Sequence, residues 1–282
     1  MAAEGFEKLT EVPTEFLKDG TAFIKRCQKP DQKEYLKIIR AVGIGFIMMG
    51  VVGYAVNKLV KALASTHEET RQEAVESLEK YISVNGFKLT LIQVEKLWKG
   101  LYYSMWLCDG PENQQDLSEN LARIFNNSGV KTKDWVKYNE AFWVIIIKEW
   151  AGIDQWRMDK YYMLIRRILR YNFTYLNNNN WDKKLIDEFN SFMKRPLTLN
   201  KNMAIPYHLC DIYLDELEEF GDDIPEQIVQ LFKELSKSAK LRTYRDKIKE
   251  DVLEDPRSKK WWFGEDEDDS EQDDDEEEWT GF

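Results

Sequence analysis

The sequence predicts an all-α fold in three parts: a single membrane-type helix segment near the N-terminus, an α-solenoid of the HEAT or armadillo kind, and a disordered acidic tail. Three observations predict it. From Ser65 onward apolar residues recur at helical spacing, with no alternating strand pattern in competition. Stop signals divide that region at short intervals: Asn85-Gly86, Asp109-Gly110-Pro111, Asn127 to Gly129, Gly152, Asn177 to Asn180, Arg195-Pro196 and Gly221 to Pro225. An uncharged run stands before this region and a run of acids follows it. The expected segments are 1–61, 62–263 and 264–282.

The first segment opens on an amphipathic helix, with Leu9, Phe16, Gly20, Phe23 and Cys27 on one face. Pro13 and Pro30 stand where helix first turns begin, and Asp31 favours the second start. Ala41–Asn57 then runs for 17 residues without a charge, between Arg40 and Lys58. As a helix it rises about 25 Å against a hydrocarbon core of about 30 Å. Lys58 and Lys61 can snorkel, which adds Leu59, Val60 and Leu63 to the apolar length. Gly43, Gly45, Gly50 and Gly53 would be costly in a buried soluble helix, whereas small residues let membrane helices approach closely. They are the candidate membrane or channel-packing positions. Six Lys or Arg in residues 21–40 against three in 58–77 place the N-terminus in the cytosol.

The second segment reads as successive helices. Thr66 and Glu69 form a capping-box pattern ahead of a helix to about Ile82. Further helices are expected near 90–107, 112–127, 132–151, 154–177, 180–193, 204–220 and 224–251. Short connections between them carry the solenoid expectation, which rests on helix rhythm without a strict repeat.

Net charge needs to be located before it means anything. The chain has 40 Lys and Arg against 51 Asp and Glu, a net −11. Residues 265–278 hold 12 of the acids in 14 positions; the remaining 39 acids leave the rest of the chain at +1. Such a block repels itself and stays solvated, either as a plain tail or as a handle for basic partners. Trp261, Trp262 and Phe263 just before it either dock on a partner or close the last helix.

Enzymatic chemistry finds little support. Cys27, Cys108 and Cys210 lie far apart, which argues against a disulfide framework or a zinc site. Two histidines, His67 and His208, cannot make a histidine-rich metal centre. No phosphate-binding glycine loop or zinc-protease motif occurs. No catalytic, cofactor-binding or metal residue is assigned, and no small-molecule substrate is expected. His208 and Cys210 read as packing residues, as do Trp98, Trp106, Trp143, Trp150 and Trp181.

One helix stands apart chemically. Within 156–176, Met158, Tyr161, Tyr162, Ile165, Ile168 and Leu169 share a face. Arg157, Lys160, Arg166, Arg167 and Arg170 fill much of the rest, a charge of +4 with Asp159. Two readings stand: a solvated basic face, or a strip contacting RNA phosphates with little sequence preference. Lys183 and Lys184 are candidates to extend the strip.

Residues 12–59, above all KRCQKPDQKEYLKI (Lys25 to Ile38) with the glycine-bearing apolar run, resemble the gamma subunit of the Sec protein translocon, the eukaryotic SecE relative. That resemblance implies a helix clamping the channel subunit in the endoplasmic reticulum membrane. After Leu59 the sequence departs from the family pattern. A second resemblance covers roughly residues 68–220. LWKGLYYSMWLCDGPENQQDLSENLA (97–122), FWVIIIKEWAGIDQWRMDKYYMLIRRILR (142–170), NNWDKKLIDEF (179–189) and IPYHLCDIYLDEL (205–217) resemble the nucleolar ribosomal RNA processing protein 1 family. It implies a non-catalytic helical scaffold in large-subunit pre-ribosomal particles in the nucleolus. Its implied partners are ribosomal RNA, Brix-domain factors and beta-propeller factors.

The two resemblances imply incompatible addresses. Translocon topology sends residues after about 60 into the lumen, where the sequons at Asn126 and Asn172 become glycan acceptors. Ribosome assembly needs the same residues in the nucleus. Ribosome assembly is the leading expectation, and the translocon subunit is the alternative.

Overall fold

The computed structural model describes residues 21, 31–127, 129–199, 202–221 and 223–263, without the side chains of residues 45, 47–53, 55 and 263. Every regular element among the described residues is helical. The expected amphipathic helix through Leu9 and Phe23 lies outside them, and so does the acidic tail. Chain contacts separate two units, Met1–Val56 and Asn57–Phe282.

The described part of the first unit is one helix, α1 (Gln32–Leu63), whose last turns belong to the second unit. Among its described side chains several apolar ones face solvent: Val42 and Ile44 are half exposed, Phe46 is 68% exposed and Tyr54 72%. A Cβ added at Gly43 would meet nothing within 4 Å. Gly45, Gly50 and Gly53 fall outside the described side chains. Among the described residues no helix is long and apolar enough to cross a membrane. The expected membrane-type helix is therefore not met there. The uncharged run of 17 residues is shorter than the roughly 20 a span requires, and α1 continues beyond it only through Lys58 and Lys61.

The second unit continues with α2 (Glu68–Asn85), α3 (Leu91–Leu107), α4 (Pro111–Asn126), α5 (Thr132–Glu149), α6 (Met158–Asn178), α7 (Lys183–Leu197) and α8 (Ala204–Glu218). α9 (Gln230–Ser238), α10 (Arg242–Ile248) and the single turn α11 (Pro256–Ser258) close it. From α2 to α8 each helix packs mainly on a helix two places along the chain, whereas α9 and α10 pack mainly on each other. α2, α4, α6 and α8 make one layer, and α3, α5 and α7 make the other. Within a layer the helices run parallel, because contacts advance with residue number. Arg71 meets Asp116 and Glu79 meets Arg123 between α2 and α4. Tyr162 meets His208 and Arg170 meets Glu219 between α6 and α8.

Apolar spacing explains the layers. On α7, Leu185, Ile186, Phe189, Phe192 and Met193 are buried, a stripe at three- and four-residue steps. On α6 the stripe runs Tyr161, Leu164, Ile165, Ile168, Leu169, Phe173 and Leu176. Each fully buried side chain of this kind contributes about 1.5–3 kcal/mol. Trp98, Trp143 and Trp150 are buried as expected, and Trp135 joins them with no exposed surface. Trp106 and Trp181 are half-buried against the core.

A chain of three asparagines ties the layers together. Asn139 of α5 donates to Asn126 Oδ1 of α4 at 2.8 Å, and Asn172 of α6 donates to Asn139 Oδ1 at 2.8 Å. Each also donates to the carbonyl four residues before it. Both sequon asparagines are thus core residues, 1% and 0% exposed.

Several boundaries differ from expectation. α2 starts on His67 without a side-chain cap, so Thr66 and Glu69 form no capping box. Arg71 reaches back instead and donates to the carbonyls of Ser65 (3.0 Å) and Thr66 (3.2 Å). The capping box forms at α3, between Thr90 and Gln93. α4 starts as expected from Pro111, after Gly110 at φ +88°, a conformation that favours glycine. α7 passes through Pro196 and stops one residue later, at Leu197. The long helix expected over 224–251 is broken. Ala239 is extended (φ −62°, ψ 140°), and Arg245 donates to the freed carbonyls of Ala239 (2.6 Å) and Lys240 (3.3 Å).

Candidate nucleic-acid interface

Four of the five cations expected to form a phosphate strip lie on α6, Arg157 stands in the turn just before it, and all five have partners within the chain. Arg157 pairs with Asp154, and its guanidinium lies 4.7 Å from the centre of the Trp106 ring. Lys160 is 5% exposed and donates to the carbonyls of Trp106 and Cys108, each at 2.9 Å. It thereby closes the C-terminal end of α3, where cations are favoured. Burial lowers its pKa from the ordinary lysine value.

Arg166 and Arg170 converge on Glu216, a carboxylate with no exposed surface. Arg166 also lies 3.5 Å from Asp215, and Arg170 lies 3.4 Å from Glu219. The hydrogen bond to Glu216 raises the Arg170 pKa further. Arg167 sits 2.9 Å from Glu119 of α4 without hydrogen-bond alignment. An RNA phosphate reaching these guanidinium groups has to compete with carboxylates already in place.

The α6 cations are one rung of a longer ladder. Arg71–Asp116 and Glu79–Arg123 join α2 to α4, and Glu119–Arg167 joins α4 to α6. Glu216 joins α6 to α8. Lys247 then reaches Asp211 at 2.6 Å, and Arg257 reaches Asp215 at 3.0 Å and Glu218 at 3.2 Å, tying α10 and α11 to α8. The whole layer is cross-linked by charge from end to end.

Lys183 and Lys184 are different. They are exposed at the first turn of α7 and have no ion pair among the described residues. The structure does not place them beside Arg166 and Arg170, because they belong to the other layer. The acidic halves of the ladder escaped sequence reading, although Asp215, Glu216, Glu218 and Glu219 form a cluster that complements the +4 helix. Trp156, 91% exposed beside Arg157, also escaped it.

No group of side chains among the described residues could hold a metal ion. Cys108 and Cys210 are free and buried. His208 packs its ring 4.4 Å from that of Tyr162 and meets the Tyr162 carbonyl at 3.2 Å. A groove of about 780 Å³ lies between Lys80, Phe87, Lys131 and Asp134.

The family model described as nucleolar protein, Nop52, matches residues 54–281. The chain belongs to the Nop52 family. Within it, the chain is 36% identical over 165 residues to the Ribosomal RNA processing protein 1 homolog of Drosophila melanogaster, covering 57% of this chain and 24% of that protein. It is 36% identical over 174 residues to the Ribosomal RNA processing protein 1 homolog B of Homo sapiens, covering 58% of this chain and 22% of that one. The chain thus spans about a quarter of the length of these two Nop52-type relatives. A second model, SecE/Sec61-gamma subunits of protein translocation complex, matches residues 14–65. There the chain is 60% identical over 50 residues to the Protein transport protein SSS1 of Saccharomyces cerevisiae, covering 18% of this chain and 62% of that protein. Residues 54–65, the end of α1, fall under both models.

Proposed function

We propose that the chain is a non-catalytic helical scaffold in nucleolar assembly of the large ribosomal subunit, acting in the processing of its ribosomal RNA. Membership of the Nop52 family over residues 54–281 carries this reading. Relatives named for ribosomal RNA processing support it. The parallel two-layer stacking suits an α-solenoid scaffold, with long open faces and many helix ends for partners. Those partners are the large-subunit precursor particle, its ribosomal RNA, and factors of the Brix-domain and beta-propeller kinds. Depletion of the chain should stall large-subunit ribosomal RNA precursors, with residues 57–282 sufficient for rescue. Normal precursor ratios on RNA blots after depletion would overturn the reading.

A second reading concerns residues 14–65 alone. The exposed apolar side chains of α1, Val42, Ile44, Phe46, Tyr54 and Val56, favour an apolar partner. That partner would be the channel subunit of the Sec translocon at the endoplasmic reticulum membrane. Co-purification of the full chain with that subunit, lost on Phe46→Asp with Val42→Asp, is the expected result. Failure to co-purify removes this reading and leaves the first untouched.

A further inference from the structure

Parallel packing gathers one end of every helix in a layer on the same side. In the α3, α5 and α7 layer, the gathered N-terminal ends carry Lys88, Lys131, Lys133, Lys183 and Lys184. Lys80, near the end of α2, joins them across the groove it shares with Lys131. All six are exposed, and none has an ion pair among the described residues.

Neighbouring contacts hold this edge together. Tyr175, near the end of α6, donates to the Val130 carbonyl at 3.0 Å and stacks on Trp135, with ring centres 4.5 Å apart. Trp135 in turn meets Phe192 of α7. α6 then leaves through a tight left-handed turn at Asn180 and Trp181, both at φ +52°. The Trp181 amide donates to the Leu176 carbonyl at 2.9 Å, and the Trp181 ring rests on Phe220. That turn sets the direction in which Lys183 and Lys184 emerge.

Some of the local acids are already occupied. Asp134 pairs with Lys137, Glu79 pairs with Arg123, and Asp182 caps α7 through the amides of Lys184 and Leu185. Glu76, Asp187 and Glu188, one helical turn from Lys80, Lys183 and Lys184, are exposed without an ion pair among the described residues, so the six lysines outnumber the open acids and leave the edge net positive. At the opposite end, the starts of α2 and α4 expose Glu68, Glu69, Asp109 and Glu112.

We propose that the lysine edge formed by Lys80, Lys88, Lys131, Lys133, Lys183 and Lys184 binds the phosphate backbone of structured RNA. The site rests on the ribosomal reading above and gives it a location. Lysine point charges on separate helices neutralise phosphates without reading bases, so binding is weakly sequence-dependent and strongly salt-dependent. The four α6 cations then act by holding helices in register.

The test is equilibrium binding of the full chain to a labelled RNA hairpin across a salt series. The variant replaces Lys131, Lys133, Lys183 and Lys184 with Gln. Each lost phosphate contact removes about 0.7–0.9 from the slope of log affinity on log salt, so the slope should become shallower by roughly 3. Affinity at low salt should fall more than tenfold. A control variant, Lys194→Gln with Arg195→Gln at the other end of α7, should bind like the parent chain. Equal affinity and slope for parent and fourfold variant would overturn the edge, as would a parent chain that does not bind the hairpin. Precursor processing on RNA blots is scored separately, so failure of the edge is distinguishable from failure of the assembly reading.

Discussion

Arg170 of α6 donates through two nitrogens to the carboxylate of Glu216 on α8, which is buried completely and shared with Arg166. The two arginines are partly exposed, at 26% and 38% of their side-chain surface, whereas Glu216 is not exposed at all. Water can solvate the cations if the pair breaks. It cannot reach the anion.

That asymmetry makes a prediction. Arg166→Ala with Arg170→Ala leaves a buried, unpaired carboxylate and should cost about 3–5 kcal/mol. Glu216→Gln leaves two cations that can turn to solvent and should cost less. Urea titrations of both variants compare them directly. A larger loss for Glu216→Gln would show that Glu216 is not the group most dependent on the pairing.

The asparagine chain supplies a second test. Asn139→Leu removes the Asn139 partner of buried Asn126 Oδ1 and one of the two acceptors of Asn172 Nδ2, which keeps the Ile168 carbonyl. Leaving Asn126 Oδ1 unsatisfied costs about 1–3 kcal/mol, and this loss should appear as a lower urea midpoint. An unchanged midpoint would mean that the layers do not depend on this chain. The same burial rules out a glycan at Asn126 or Asn172 in the folded unit. A lumen-directed copy that carries glycans at these sites should be protease-sensitive.

Gly86 tests close approach. A Cβ at this position would lie 2.1 Å from Tyr138 Oη. Lys137 also donates to the Gly86 carbonyl at 3.1 Å, holding the turn against α5. Gly86→Ala should destabilise by about 1–3 kcal/mol through overpacking. Adding Tyr138→Phe should recover part of that loss in thermal melts. A Gly86→Ala chain that melts like the parent would refute the tight fit.

Alkali should unfold the second unit. Burial raises Tyr138 and Tyr171 from the ordinary tyrosine value of 10.0 to about 12, with a Glu119 hydrogen bond adding to the rise at Tyr171. Tyr161, Tyr213 and Tyr244 are raised further by burial. Above pH 10 the unfolded chain releases these protons while the folded chain keeps them. Stability is therefore fully present below about pH 10 and is lost as pH climbs toward 12 and beyond. Lys160, lowered by burial, acts in the opposite direction below 10.5, but it is one group against five. Helix circular dichroism and tyrosinate absorbance should change together. Full tyrosinate absorbance with intact helix signal would contradict the burial.

Most helices were legible because their signals are local. Pro111 after Gly110, the Gly221 to Pro225 break and the apolar stripe of α7 act within a few residues. The failures lie where an arginine five or six residues further on serves the free carbonyls of a turn. Thr66 and Glu69 have capping-box spacing, yet Arg71 serves the turn by way of Asp116 on α4. The 224–251 helix breaks where Arg245 satisfies the Ala239 carbonyl.

The candidate strip shows the limit most clearly. Sequence put its charges on one helix, four of them on α6 with Arg157 in the turn before it, but could not see that Glu119 and Glu216, about 50 residues away on either side, would meet them. The sequence by itself determined the all-helical character, the two family resemblances and the segregation of acid into the last residues. Only the tertiary structure decided which charges are spent within the fold and which face outward. The physical reason is that helix periodicity is written in neighbours three and four apart, whereas ion pairing depends on which helices the apolar stripes bring side by side.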